Sequence, residues 1–165
     1  MSARSIRQFP DPVLRKISKP VHKIDAKIEK IIKRLIDTMR RQPGGIGIAA
    51  PQIGVLKRIA IVDVSLKVRG AKPLILINPE IIRLEVEHVS REGCMSLPDY
   101  TANVRRAERV RVRWQDMELN DCELDTDGIE ARCIQHEVDH LNGLLFVDRV
   151  GSLKSDVFAR KVYLK

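Results

Sequence analysis

Gln135-His136-Glu137-Val138-Asp139-His140-Leu141-Asn142-Gly143 is the stretch from which the rest of this chain is read. It contains His-Glu-x-x-His. A helix turns roughly 100° per residue, so His136 and His140 lie one turn apart on one face and can share a metal ion. Glu137 projects from the edge of that face, close enough to handle a proton of water bound there. The stretch is bounded as a helix should be. Thr126 or Asp127 can cap its start, Ile129, Cys133, Ile134, Val138 and Leu141 give it apolar faces, and Asn142-Gly143 is a C-terminal stop. A solvated, charged helix face would account for Glu137 and Asp139. It would not account for two of the chain's four histidines standing one turn apart.

A site that keeps one position for water needs a third protein ligand. The pattern His-Glu-x-x-His-x-x-Gly-x-x-His takes it downstream. This sequence follows that pattern through Gly143 and then has Phe146 in place of the last histidine. No histidine follows His140 and no glutamate follows Glu137, which leaves Asp148 and Asp156 as weaker candidates. Upstream, Arg91-Glu92-Gly93-Cys94-Met95-Ser96-Leu97-Pro98 reads as a tight, Gly-bent turn that presents a thiol, and Cys94 is the stronger candidate. One thiolate and two neutral imidazoles leave a divalent ion with a net charge near +1. Cys133, three residues before His136, reads as pocket wall rather than as a fourth ligand. His22 and His88 lack partner spacing and read as an arm residue and a strand-face residue.

Outward from these motifs the chain alternates in type. Residues 6–23, with Pro10, Pro12 and Pro20, read as an ordered arm laid over the surface. Asp25 caps an amphipathic helix from about 25 to 41, with Ile28, Ile31, Ile32, Leu35, Ile36 and Met39 on the core side. Its other face carries Lys27, Lys30, Lys33 and Arg34, and reads as the wet side of a core-packing helix. Pro43-Gly44-Gly45-Ile46-Gly47-Ile48-Ala49-Ala50-Pro51-Gln52-Ile53-Gly54 follows. Its small residues permit close approach of another chain, and Gln52 is its one polar side chain able to face chemistry. It is neither a phosphate loop nor a dinucleotide fingerprint. Strands are expected at 58–64, 74–77, 81–89, 108–114 and about 117–125, with a basic outer face of Arg109, Arg111 and Arg113. Ser152 is expected to cap a short last helix containing Val157, Phe158 and Val162. Short strands with turn signals followed by a helix predict an α+β class with antiparallel sheets.

Composition narrows the function. The chain has 165 residues, which suits one domain, and is 44% hydrophobic but only 4% aromatic, so the core rests on Ile, Val and Leu. The formal net charge of +8 favours acidic partners such as RNA, the ribosome or anionic lipid. No stretch is long and apolar enough for a bilayer span, and the first seven residues lack a signal-peptide core. Three cysteines, Cys94, Cys122 and Cys133, cannot all pair with one another and read as thiols or metal ligands. The expected compartment is the cytoplasm.

Three motifs together resemble the peptide deformylase family. They are Gly45-Ile46-Gly47-Ile48-Ala49-Ala50-Pro51-Gln52, with Ile48 where Leu is usual; Glu92-Gly93-Cys94-Met95-Ser96, with Met95 where Leu is usual; and Gln135-His136-Glu137-Val138-Asp139-His140, without departure. The resemblance covers nearly the whole chain, 1–165, as one catalytic domain. It implies an α+β fold with antiparallel β-sheets packed around a central helix carrying the His-Glu-x-x-His motif. The implied activity is removal of the formyl group from the N-terminal formyl-methionine of nascent polypeptides. By the same resemblance, Cys94, His136 and His140 bind one divalent metal, Fe²⁺ in the cell, with Zn²⁺, Ni²⁺ or Co²⁺ able to occupy the site. Glu137 would be base and then acid. The Gln52 amide and the Met95 backbone N–H would stabilise the oxyanion. Gly45, Ile46, Gly47, Gly93 and Cys133 would line the substrate groove, with the backbone around Ile46 and Gly47 pairing with the peptide. Arg106 would support Glu92, and the implied partners are formyl-methionyl nascent peptides and the ribosome, with no membrane and no specific DNA site. Two other readings compete: a metallopeptidase of different specificity, and a basic, noncatalytic binding module with a closed structural metal site that includes Cys133.

Overall fold

The computed structural model of the protein describes residues 6–161. The order is α1 (Ala26–Arg41), β1 (Gly47–Ala49), β2 (Ile59–Val62), β3 (Leu74–Cys94), β4 (Leu97–Gln115), β5 (Asp121–Asp127), α2 (Gly128–Leu141), α3 (Leu153–Asp156) and β6 (Val157–Ala159). Short 3-10 turns lie at Pro12–Arg15, Ala50–Ile53 and Phe146–Arg149. Helix and antiparallel sheet are mixed, as the α+β expectation requires. The strands join into one antiparallel ladder in the order β1-β2-β3-β4-β5, with β6 added to β4, rather than into separate sheets.

The core follows from side-chain size on two thin strands. Along β1 and β2, successive residues face opposite sides. Ile48, Ile59 and Ile61 point to one face, where Ile28, Ile32, Leu35 and Met39 of α1 cover them. Ala49, Ala60 and Val62 point to the other, where Cys133, Ile134, Val138 and Leu141 of α2 pack. The smaller residues lie under α2, so that helix approaches the sheet closely. Each of these fully buried Ile and Leu side chains contributes roughly 1.5–3 kcal/mol through removal from water. A third cluster, built from Leu14, Leu97, Ala102, Val104, Leu145 and Phe146, closes the end of the molecule where Cys94 is buried.

Several sequence expectations need revision. The strands expected at 74–77 and 81–89 are one bent strand, β3, which continues to Cys94. Asn78 makes the bend rather than a stop. It takes φ +51°, and its side-chain amide bonds both backbone groups of Val21 at 2.8 Å and the Gln115 side chain at 2.7 Å. The arm is pegged into the molecule, not merely laid on it, since Leu14 and Val21 are buried. Ser152 does cap a helix, but α3 is a single turn, and Val157 and Phe158 belong to β6. Val162 lies outside the described residues. Two arginines of the basic face of β4 are matched across the sheet: Arg111 and Arg113 bond Glu123, and Arg111 also bonds Asp125, all on β5. No helix among the described residues is long and apolar enough to cross a membrane.

Candidate metal centre

Cys94 ends β3 and Leu97 begins β4, so only Met95 and Ser96 make the turn between them. That turn is tied down on several sides. The Ser96 N–H lies 3.4 Å from Cys94 Sγ. The Ser96 carbonyl accepts from the Phe9 N–H at 2.8 Å, and the Ser96 hydroxyl accepts from Gln52 Nε2 at 3.1 Å. The sequence reading includes Ser96 in its motif but gives it no role. Its role follows only from the meeting of the turn with the 3-10 turn Ala50–Ile53. Gln52 is 1% exposed and fixed by its other end, since Oε1 accepts from the Ala49 N–H at 3.0 Å. Nε2 is therefore held toward the thiol, 3.6 Å from Cys94 Sγ.

α2 brings the histidines to the same point. One ligand atom each from Cys94, His136 and His140 lie within 4.8 Å of one another. Cys94 Sγ and His140 Nε2 are 3.3 Å apart. Ligand bonds of roughly 2.0–2.3 Å to a shared ion put donor atoms about 3.5 Å apart, so the separation fits. A thiolate with two imidazoles suits a first-row divalent metal. Glu137 Oε2, buried at this spot, has no hydrogen-bond partner, which fits a site built to hold further groups. Cys133 stays out of the cluster. Its Sγ lies 3.6 Å from the Ile46 carbonyl, and burial together with the nearby Glu137 carboxylate holds its thiol well above the ordinary range.

Behind the histidines runs a chain of charges. His136 Nδ1 is 2.8 Å from Glu92 Oε1. A carboxylate can only accept there, so Nδ1 carries the proton and the Nε2 lone pair remains for a metal. Burial pushes the Glu92 carboxyl up, but hydrogen bonds from His136 and Arg106 outweigh it and bring it down to about 2. Arg106 is 5% exposed, forks onto Glu92 at 2.8 and 3.1 Å, and also reaches Asp139 at 2.6 Å. Arg149 completes the chain with two bonds to Asp139, at 2.9 and 3.1 Å. The sequence reading anticipated Arg106 with Glu92. It gave Asp139 no contact of its own, whereas Asp139 is 6% exposed and bonded by both arginines. The available signal was Asp139 lying three residues after His136, on the side of the helix turned toward β4. Burial pushes the Glu137 carboxyl up to about 7. Phe146, standing where another pattern has a histidine, stacks on the His136 ring with centroids 6.3 Å apart.

The groove residues are placed unequally. A Cβ on Gly47 would lie 2.6 Å from Cys133 Sγ and 3.1 Å from Glu137 Cγ, so only glycine lets β1 pass this close to α2. The Ile46 carbonyl is already taken by the Asp63 N–H at 2.7 Å. Because antiparallel pairs alternate, the backbone groups of Gly47 are the ones turned to the open edge of β1. Gly45 sits against the last turn of α1, where a Cβ would lie 2.5 Å from the Met39 carbonyl oxygen. Gly93, at the hairpin end of β3, faces the Arg160 guanidinium. His22 and His88 take no part in the cluster.

A family model described as polypeptide deformylase matches residues 3–156. The chain belongs to this family. It is 44% identical over 164 residues to a peptide deformylase of Bartonella tribocorum, covering 98% of this chain and 92% of that protein. Among solved structures it resembles a peptide deformylase from Synechococcus elongatus in complex with actinonin, with a TM-score of 0.84 and 42% identity over 90% of this chain and 81% of that one. A peptide deformylase from Thermotoga maritima gives a TM-score of 0.82 at 42% identity, covering 89% and 97%. Polypeptide deformylases are metalloenzymes, and Cys94, His136 and His140 form a candidate Cys-His-His site among the described residues.

Proposed function

We propose that this chain, as a single catalytic domain over residues 1–165, hydrolyses the formamide at the N-terminal formyl-methionine of nascent polypeptides. The observation that carries the reading is one convergence. Three ligand atoms, the buried carboxylate of Glu137 and the fixed amide of Gln52 meet beside a glycine strand with an open edge. Cys94, His136 and His140 would hold one divalent ion, with Fe²⁺ as the cellular metal and Zn²⁺, Ni²⁺ or Co²⁺ as substitutes. When bound, it would supply Lewis acidity that makes water nucleophilic near neutral pH.

The remaining work falls to the chain's own groups. Glu137, on the motif helix at the centre of the fold, takes a proton from the attacking water. The water oxygen bonds to the formyl carbon, and the C–N bond breaks. Glu137 returns the proton to the leaving amine, and formate departs. Gln52 Nε2 and the Met95 N–H donate to the formyl oxygen as negative charge grows there. Gly47 pairs with the extended peptide by strand addition. Gly45, tucked against the last turn of α1, and Gly93, beside the Arg160 guanidinium, would border the groove, and Ile46 and Cys133 would supply its apolar side. Glu92, Arg106 and Asp139 hold His136 in orientation. The proposed setting is the cytoplasm, with the ribosome as partner.

The test is turnover of a formyl-Met peptide by anaerobically purified protein, with metal content measured on the same sample. Glu137→Gln should retain metal and lose activity by a factor of about 10² or more. Cys94→Ala should lose the metal. Activity surviving Glu137→Gln would overturn the mechanism, and cleavage of unformylated peptides at an equal rate would favour a general metallopeptidase. Cys133 lying outside the donor cluster weighs against a closed four-ligand module.

A further inference from the structure

Charge is divided unevenly along this chain. Residues 1–58 hold 14 Lys and Arg against 4 Asp and Glu, a net of +10, while residues 59–165 hold 16 against 18, a net of −2. The whole positive excess therefore belongs to the arm, α1 and the approach to β2. On α1, with roughly 100° per residue, Lys27, Lys30, Lys33, Arg34, Arg40 and Arg41 fall within an arc of about 140° that includes one acid, Asp37. The opposite arc is spent on the core through Ile28, Ile32, Leu35 and Met39. Lys27, Lys30, Lys33 and Arg40 are exposed, and among the described residues none of these four has an acidic side chain within ion-pair distance. The contrast with β4 is direct, for there Arg111 and Arg113 are matched by Glu123.

We infer that the exposed face of α1 binds the phosphate backbone of a folded RNA. At about 1.5 Å per residue the helix is about 24 Å long, enough to meet several phosphates in a row. The apolar side of α1 is buried, so the helix has no wedge to insert between lipids. The face carries cations without aromatic rings, which suits phosphate contact and not base stacking. α1 ends at Arg41, and the chain then runs through Gly45 to Gly47 against Glu137. α1 covers one face of β1 and β2, and α2 with the candidate centre covers the other, so RNA on the exposed side of α1 would leave the centre uncovered. The inference goes beyond the deformylase reading and stands without it.

The experiment is fluorescence anisotropy of a labelled RNA duplex of about 20 base pairs with the full, metal-loaded chain, titrated between about 50 and 200 mM salt. Wild type should bind with affinity that falls steeply with salt. Lys27→Glu with Lys30→Glu and Lys33→Glu should weaken binding at least ~10-fold and reduce the log–log salt slope by about two to three units. Turnover of free formyl-Met peptide by that variant should be unchanged, which also shows that it folds. A control with the same charge change elsewhere, Lys67→Glu with Arg69→Glu and Lys72→Glu, should lose much less affinity. Equal losses in the two variants would reduce the effect to net charge and overturn the inference. So would wild-type affinity in the α1 variant, or tighter binding to vesicles containing anionic lipid than to the duplex.

Discussion

Gly47 shows how one missing side chain sets the site. Its Cα lies where a methyl group would press on Cys133 Sγ and the Glu137 side chain. Gly47→Ala should lower stability by about 1–3 kcal/mol, the range for overpacking, and displace Glu137 enough to reduce kcat/KM. Adding Cys133→Ala should restore most of the lost Tm, because the new methyl then occupies the space left by sulfur. Thermal melts and kinetics of the two single variants and the double variant form the check, and an unaltered Gly47→Ala protein would contradict this packing. The metal-ligand candidates and Glu137 were legible as residue types at fixed spacing. Ser96 and Arg149 were not, since each acquires its contact, with Gln52 and Asp139, across more than ten intervening positions or from a different element.

The motif helix is held to the sheet by a side chain that carries no chemistry. Gln135 Nε2 donates to the Ala107 carbonyl at 2.8 Å, and Gln135 Oε1 accepts from the Ala107 N–H at 2.9 Å. One buried amide thereby satisfies both backbone groups of a β4 residue and fixes α2 along the strand. Gln135→Leu leaves both groups unpaired, at a cost of about 2–4 kcal/mol, or a fall in Tm on the order of 5–15 °C. A melt within 2 °C of wild type, on the order of measurement scatter, would remove Gln135 from this role. Elements with strong periodicity were readable in advance: α1 begins one residue after its Asp25 cap, whose side chain accepts from the Ile28 N–H at 2.9 Å. β3 was read as two strands, because Asn78-Pro79 is a turn signal locally. Only the bonds from Asn78 to Val21 and Gln115 convert that signal into a bend.

The arm and the C-terminal segment close on each other through Arg15 and Asp148, an ion pair spanning 133 positions. Partial burial pushes the Asp148 carboxyl up, but the bonds from Arg15 and from the Leu145 N–H outweigh it, and the group sits below its ordinary value. A carboxylate whose folded-state pKa is depressed adds stability above its unfolded pKa and loses it as pH falls through the folded value. Asp148→Asn should therefore be less stable than wild type at pH 7, and the difference should shrink below about pH 4. Urea titrations of both proteins at several pH values test this, and a gap independent of pH would refute it. Composition and three motifs sufficed for the α+β class, the ligand types and the family, because helical spacing, glycine and ligand chemistry are properties of short segments. The joining of the strands into one ladder, the burial of Asp139 between Arg106 and Arg149, the turning of the Ile46 carbonyl toward β2 and the pairing of Arg111 and Arg113 with Glu123 are different in kind. Each depends on which distant groups meet, and chain spacing carries no record of such meetings until the core has packed.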